Sequence, residues 1–206
     1  MAWVLTLLWT GAATGQTAVF DTAGLADGPH ARACMLMERT VFRVDVLTVE
    51  LRLGPHTAER VRGLVARDAP RDSIARVAMR SRNAYVRIEF VRDVGMDRFI
   101  EGIRTDLRRV ADAGVIDPET FEGVSRRLPE WYGFLEGRGV REGDELLYRV
   151  RGDTLHSGYR SASGEMLLRQ TDVGRERRLA VLGSYLVKGS SFREGLLGSL
   201  LGNGGC

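Results

Sequence analysis

The chain has 206 residues and a formal net charge of +3, a length that makes one domain able to bury about 70% of its unfolded surface without metal or disulfide staples. Apolar residues at 44% and aromatic residues at 7% exclude a low-complexity or disordered chain. The positive charge is arginine almost alone, with Lys188 the only lysine, and it alternates with acids as in Asp97-Arg98 and Arg175-Glu176-Arg177. Interleaved charge is the pattern of a solvated surface, so no nucleic-acid partner is expected.

Ala2 to Trp9, AWVLTLLW, is a short apolar run followed by the small residues Gly11-Ala12-Ala13-Thr14-Gly15. This is the order of a secretory signal peptide, and it predicts a signal over 1–15, a single domain over 16–206, and export to the periplasm or medium. No Lys or Arg precedes the run, so a buried strand in a cytoplasmic protein is the other reading. The run is too short to span a bilayer, and no later stretch approaches that length, so no transmembrane segment is expected after signal removal. Residues 16–31 carry Gly, Asp and Pro and read as irregular.

Cys34 to Leu53, CMLMERTVFRVDVLTVELRL, reads as one long extended stretch. In its second half Leu47, Val49, Leu51 and Leu53 share one face against Thr48, Glu50 and Arg52, as in a half-buried strand. The first half is out of phase, with Phe42, Val44 and Val46 as the apolar set. Either a bulge near Val46 and Leu47 shifts the register, or the strand buries opposite faces at its two ends. Cys34 is expected in the core, and Cys206, in a Gly-rich tail, is open to pairing with it or to standing as a free thiol.

After Gly54-Pro55, Thr57 is expected to cap a helix through about Ala66. Asp68 to Asp72 reads as a turn, the chain from Ile74 as extended, and Ala84 to Val91 as an alternating strand. The strongest helical signal spans about Met96 to Ala113, where Phe99, Ile100, Ile103, Leu107 and Val110 share a face. Asp117-Pro118 opens a second helix, which Pro129 is expected to break. Glu145 to Arg151, Thr154 to Arg160 and Glu165 to Arg169 form a run of hairpins. Arg177 to Val187 and a helix opened by the capping box Ser191-Phe192-Arg193-Glu194 close the chain. Strands, helices, a meander and helices again make an α+β pattern, not repeated βαβ units.

The chain has no Gly-rich phosphate loop, no G-x-S-x-G elbow and no Cys or His pair at zinc spacing, so no catalytic residue, metal or cofactor is predicted. His30, His56 and His156 are isolated in sequence and read as loop or surface residues. Arg39 stands out, because an arginine beside an apolar surface can hold a carboxylate with both of its nitrogens while apolar walls hold a hydrocarbon or ring. A salt bridge from Arg39 to Glu38 or Asp45 is the competing reading.

Several phrases resemble the chalcone isomerase-like family, in particular its exported bacterial members. Arg39-Thr40-Val41-Phe42-Arg43-Val44-Asp45-Val46 is similar to the family's arginine and extended V-D-V strand. Ala84 to Phe99, AYVRIEFVRDVGMDRF, is similar to its strand, Arg-Asp junction and helix entry, and Gly143-Asp144 and the helix pair from Ala180 to Gly202 also agree. The resemblance covers about Cys34 to Gly202. It implies an open-faced β-sandwich, a large antiparallel sheet covered on one face by helices with a cleft between them. It also implies a family in which plant enzymes cyclise chalcones and non-catalytic relatives bind fatty acids.

Carried across, the isomerase's arginine falls on Arg39, its strand threonine on Leu47, its helix-entry tyrosine on Phe99 and its asparagine on Asp106. Leu47 and Phe99 offer no donor to a developing phenolate or enolate, so chalcone cyclisation is not expected. The preferred expectation is non-catalytic binding of a small amphipathic carboxylate such as a fatty acid, with Arg39, Leu47, Phe99 and Asp106 as ligand-binding residues. Two alternatives stay open: an isomerase or lyase-like enzyme of the same fold using Arg39 with Asp106 or Tyr85, and an envelope interaction or structural role with no ligand.

Overall fold

The stretch from Cys34 to Leu53 folds into a hairpin, not one long strand. The computed structural model describes residues 18–39 and 44–202, with backbone alone at 18, 38, 39 and 44–46; the predicted signal segment 1–15, Cys206 and residues 40–43 lie outside the described residues. Strand β1 runs Arg32–Arg39 and β2 runs Val44–Leu53, paired antiparallel with a register shift between Met37 and Glu38. The change of phase along this stretch is therefore a chain reversal. Two antiparallel strands can each bury alternate residues on the same face of the sheet while the sequence between them changes phase.

Helices α1 (Pro55–Val65) and α2 (Arg71–Met79) follow. Pro55 occupies the first turn of α1, where its missing N–H costs nothing, so the helix starts ahead of Thr57, whose hydroxyl instead meets Ser81 Oγ at 3.0 Å. The extended reading from Ile74 is corrected: Ile74, Ala75 and Ala78 are buried at helical spacing. Strand β3 (Asn83–Phe90) and helix α3 (Met96–Asp112) form as the sequence indicates.

Helix α4 (Pro118–Trp131) runs through Pro129 without breaking. Proline leaves the carbonyl four residues earlier without its helical donor, and here Arg104 of α3 donates to the Ser125 carbonyl at 3.4 Å. Strands β4 (Glu145–Arg151), β5 (Thr154–Arg160) and β6 (Met166–Val173) form the meander, with β6 ending four residues beyond the expected Arg169. Helices α5 (Arg175–Leu186) and α6 (Arg193–Leu200) complete the chain. The expected capping box is not used, since no side chain caps α6 and Glu194 pairs with Arg71.

The strands form one six-stranded sheet in the order β1-β2-β3-β4-β5-β6, every pair antiparallel. Its inner face presents Val49, Leu51, Val86, Ile88, Leu146, Val150, Leu155 and Tyr159, all buried in one core with the apolar faces of the helices. The outer face carries cross-strand ion pairs, among them Arg32 with Glu50 and Arg87 and Arg160 with Glu145. This is an α+β, open-faced β-sandwich with helices on one side of a large antiparallel sheet. Edge strand β1 is covered by α6, where the Cys34 backbone N–H donates to Ser199 Oγ at 3.0 Å. Among the described residues no helix is long and apolar enough to cross a membrane.

Candidate functional site

Helices α3, α4 and α5 lie over the β4-β5-β6 half of the sheet, and the layers do not close completely. Between them is a cavity of about 90 Å³. Its walls are Leu107 from α3, Val124 and Leu128 from α4, Leu146 from β4, Leu155 from β5, Leu168 from β6, and Ala180 and Val181 from α5. The strand residues arrive by alternation: Tyr148 pairs with Ser157 and Ser157 with Gln170, so these three side chains form one row across the sheet's inner face. Leu146, Tyr159 and Leu168 form the adjacent row on the same face.

Several polar groups also reach the cavity: Asp106, Tyr132, Tyr148, Gln170, Asp172, Arg177 and Tyr185. Burial pushes the Tyr132, Tyr148 and Tyr185 hydroxyls up, Tyr148 to about 12, and the Asp106 carboxylate adds to the upward push on Tyr148 and Tyr185. At neutral pH they are therefore neutral O–H groups able to donate to a carboxylate or carbonyl. Asp106 accepts from Arg109 Nη1 at 2.6 Å, and Asp172 accepts from Gln170 Nε2 at 2.8 Å.

Arg177 is set by the turn from β6 into α5. Gly174 holds φ +134°, a backbone conformation that side-chain-bearing residues rarely adopt, and its N–H donates to the Asp153 carbonyl at 2.8 Å. Three residues later Arg177 lines the cavity, and its Nη1 is buried with no hydrogen-bond partner. No side chain caps the first turn of α5.

The residues expected from sequence are not all gathered here. Asp106 lines the cavity. Phe99 is buried one layer away in an aromatic cluster, with its ring centroid 4.9 Å from that of Tyr132 and 5.8 Å from that of Phe90. Leu47 is buried on β2 between Met37 and Phe90 in the pairing of β1, β2 and β3, and it is not a lining residue of this cavity. Arg39 ends β1, and its side chain lies outside the described residues. Tyr85 is on the outer face, paired with Arg52 and Arg149, across the sheet from the cavity.

Sequence reasoning did not single out Arg177 or the three tyrosines. Arg177 sits in the run Arg175-Glu176-Arg177-Arg178, which alternating charge presents as solvated surface. Only the direction of the first turn of α5 separates Arg177 from its neighbours. Among the described residues no group of three or more His, Cys, Asp or Glu side chains is placed to hold a metal ion. Cys34 is disulfide-bonded.

No family model and no curated protein matches this sequence. Among solved structures, the chain is similar to the crystal structure of a fatty-acid binding protein from Arabidopsis thaliana, with a TM-score of 0.58 and 10% sequence identity. The match covers 90% of this chain and 92% of that one. At that identity the likeness speaks to fold. The six-stranded antiparallel open sheet with helices on one face is the chalcone isomerase-like fold.

Proposed function

We propose that the chain binds a small amphipathic carboxylate, such as a fatty acid, in the cleft between the β4-β5-β6 half of the sheet and helices α3 to α5. The observation that carries this reading is a cavity walled mainly by apolar side chains with a few polar groups converging on it, the composition of a small-molecule site. The fatty-acid binding protein of the same fold adds support. Two arginines are candidates for the carboxylate: Arg39, implied by the family resemblance, and Arg177, which lines the cavity. Asp106 lines the same space, while Phe99 backs Tyr132 and Leu47 lies farther along the inner face toward β1.

A cavity of about 90 Å³ holds about three waters and is below the roughly 300 Å³ at which pockets for drug-sized ligands begin. A long acyl chain therefore enters by parting the cleft. The α4 side is the one suited to move, because α4 packs mainly on α3. Native mass spectrometry of gently purified full-length chain, followed by titration of the delipidated protein with dodecanoate, tests the reading. Co-purified fatty acid or micromolar binding is expected; no bound lipid and no measurable affinity would reject it.

We also propose that the protein is exported. The run Ala2 to Trp9 and the small residues after it support this, as does the disulfide at Cys34, since such bonds persist in oxidising compartments. The mass of the protein recovered outside the cytoplasm should lack about the first 15 residues. An intact N-terminus on cytoplasmic protein would reject export.

A further inference from the structure

We propose that Arg177, not Arg39, receives the ligand's carboxylate, so that the head lies at the first turn of α5 and the tail runs inward beneath α3 and α4. This rests on the binding reading above and assigns the polarity of that site. Four buried side-chain atoms have no hydrogen-bond partner among the described residues: Arg92 Nε, Ser125 Oγ, Arg178 Nε and Arg177 Nη1. Only Arg177 belongs to the lining of the cavity.

Other arginines in the interior spend their Nη donors on protein. Arg149 Nη1 donates to Asn83 Oδ1 at 2.6 Å and to the Ala84 carbonyl at 3.1 Å, and Arg178 Nη1 donates to the Arg80 carbonyl at 3.0 Å. Their roles are structural. An unpaired buried donor carries a desolvation penalty, and such groups are uncommon in native proteins. The penalty disappears when an acceptor occupies the cavity. A carboxylate is the acceptor that matches a guanidinium best, because it takes two parallel N–H bonds and cancels the charge.

The surroundings agree with that polarity. The first turn of α5 has no capping side chain, so its backbone N–H groups add positive potential beside Arg177. The two acids that line the cavity are already engaged: Asp172 accepts from Gln170, and Asp106 accepts from Arg109. The rest of the lining is mainly apolar, through Leu155, Leu146, Leu107 and Leu128, with Asp106 and the neutral hydroxyls of Tyr132, Tyr148 and Tyr185 set among them. A hydrocarbon running in that direction is desolvated along its length while its head stays at the α5 terminus.

The test compares delipidated full-length wild type with Arg177→Gln and Arg39→Gln by calorimetric titration of dodecanoate and of 1-dodecanol. Wild type should prefer the acid. Arg177→Gln should weaken dodecanoate binding by about 10- to 100-fold, the range of a charge-assisted hydrogen bond, and leave 1-dodecanol within about twofold. Arg39→Gln should leave both within about twofold. The carboxyl carbon of bound [1-13C]dodecanoate should titrate at lower pH in wild type than in Arg177→Gln, a shift that a merely structural role would not produce. Circular dichroism and the melting temperature check that the variants fold, and Arg177→Lys, which keeps the charge, should recover part of the affinity. Undiminished dodecanoate binding in Arg177→Gln, or a loss confined to Arg39→Gln, overturns the assignment while leaving the binding reading intact. A wild-type chain that binds neither probe overturns both.

Discussion

Asp144 shows how a buried charge can be wholly occupied by structure. It has no exposed surface, and its carboxylate accepts from both Nη atoms of Arg138 at 2.9 and 3.1 Å, from the Arg141 and Ala162 backbone N–H groups at 2.8 and 3.0 Å, and from the Tyr159 hydroxyl at 2.7 Å. These bonds tie the segment before β4 to the turn after β5, and Tyr159 carries the tie into the aromatic cluster around Phe99. Burial raises the Asp144 carboxyl, but Arg138, the two N–H groups and Tyr159 outweigh it and hold the group below its usual range. The sign follows. A carboxyl that loses its proton more readily in the folded state contributes stability above its unfolded pKa, and that contribution is lost as pH falls through the folded value. Asp144→Asn should cost about 2–4 kcal/mol at pH 7 by leaving Arg138 without its counter-charge, read as a lower urea midpoint at unchanged slope. Its stability should also fall less than that of wild type when the pH is taken below about 4. An equal midpoint at pH 7 would mean that the amide satisfies the same donors.

At the scale of elements, what the sequence reveals depends on whether the local signal and the tertiary demand coincide. Helix α3 was legible because its buried residues Phe99, Ile100, Leu107 and Val110 recur at helical spacing over a long segment. The central strands were legible by simple alternation. The β1-β2 reversal was not, because Thr40-Val41-Phe42-Arg43 contains none of the Gly, Pro, Asn or Asp that usually mark a turn. Helix α2 has only nine residues, too few for its period to be distinguished from a strand's. Pro129 misled for a different reason, since the donor that offsets it comes from another helix. The candidate site is legible in the same partial way. The cleft and Asp106 follow from the family resemblance, but the cavity's position depends on how closely α3 and α5 approach. A Cβ on Gly183 of α5 would lie 2.7 Å from Val110 Cγ1 of α3, so the two helices pack nearly backbone to side chain there. That contact fixes where the layers meet and, by difference, where they stay apart. A single-sequence pattern contains no record of it.

The whole molecule has two unlike faces, and their independence can be tested. Ligand binding is proposed on the inner side. On the outer side the segment leading into β1 crosses the sheet: Phe20 packs over Gly158 of β5, where an added Cβ would lie 2.6 Å from the ring, and Arg149 donates to the Asp21 and Ala23 carbonyls at 3.2 and 3.3 Å. Arg149 is 2% exposed, so this crossing segment is what keeps a cation of β4 out of water. Its absent side chain makes Gly158 the seat for the ring. Phe20→Ala removes a half-buried ring from that seat and should cost about 1–2 kcal/mol, or about 2–8 °C in melting temperature for a domain of this size. Hydrogen exchange should become faster across residues 18–26, because the segment keeps few other apolar contacts. Dodecanoate affinity should remain within about twofold of wild type, since the sheet separates Phe20 from the cavity. A large loss of affinity with the fold intact would instead show that the two faces are coupled through β4 and β5, whose side chains alternate between the crossing segment and the cavity.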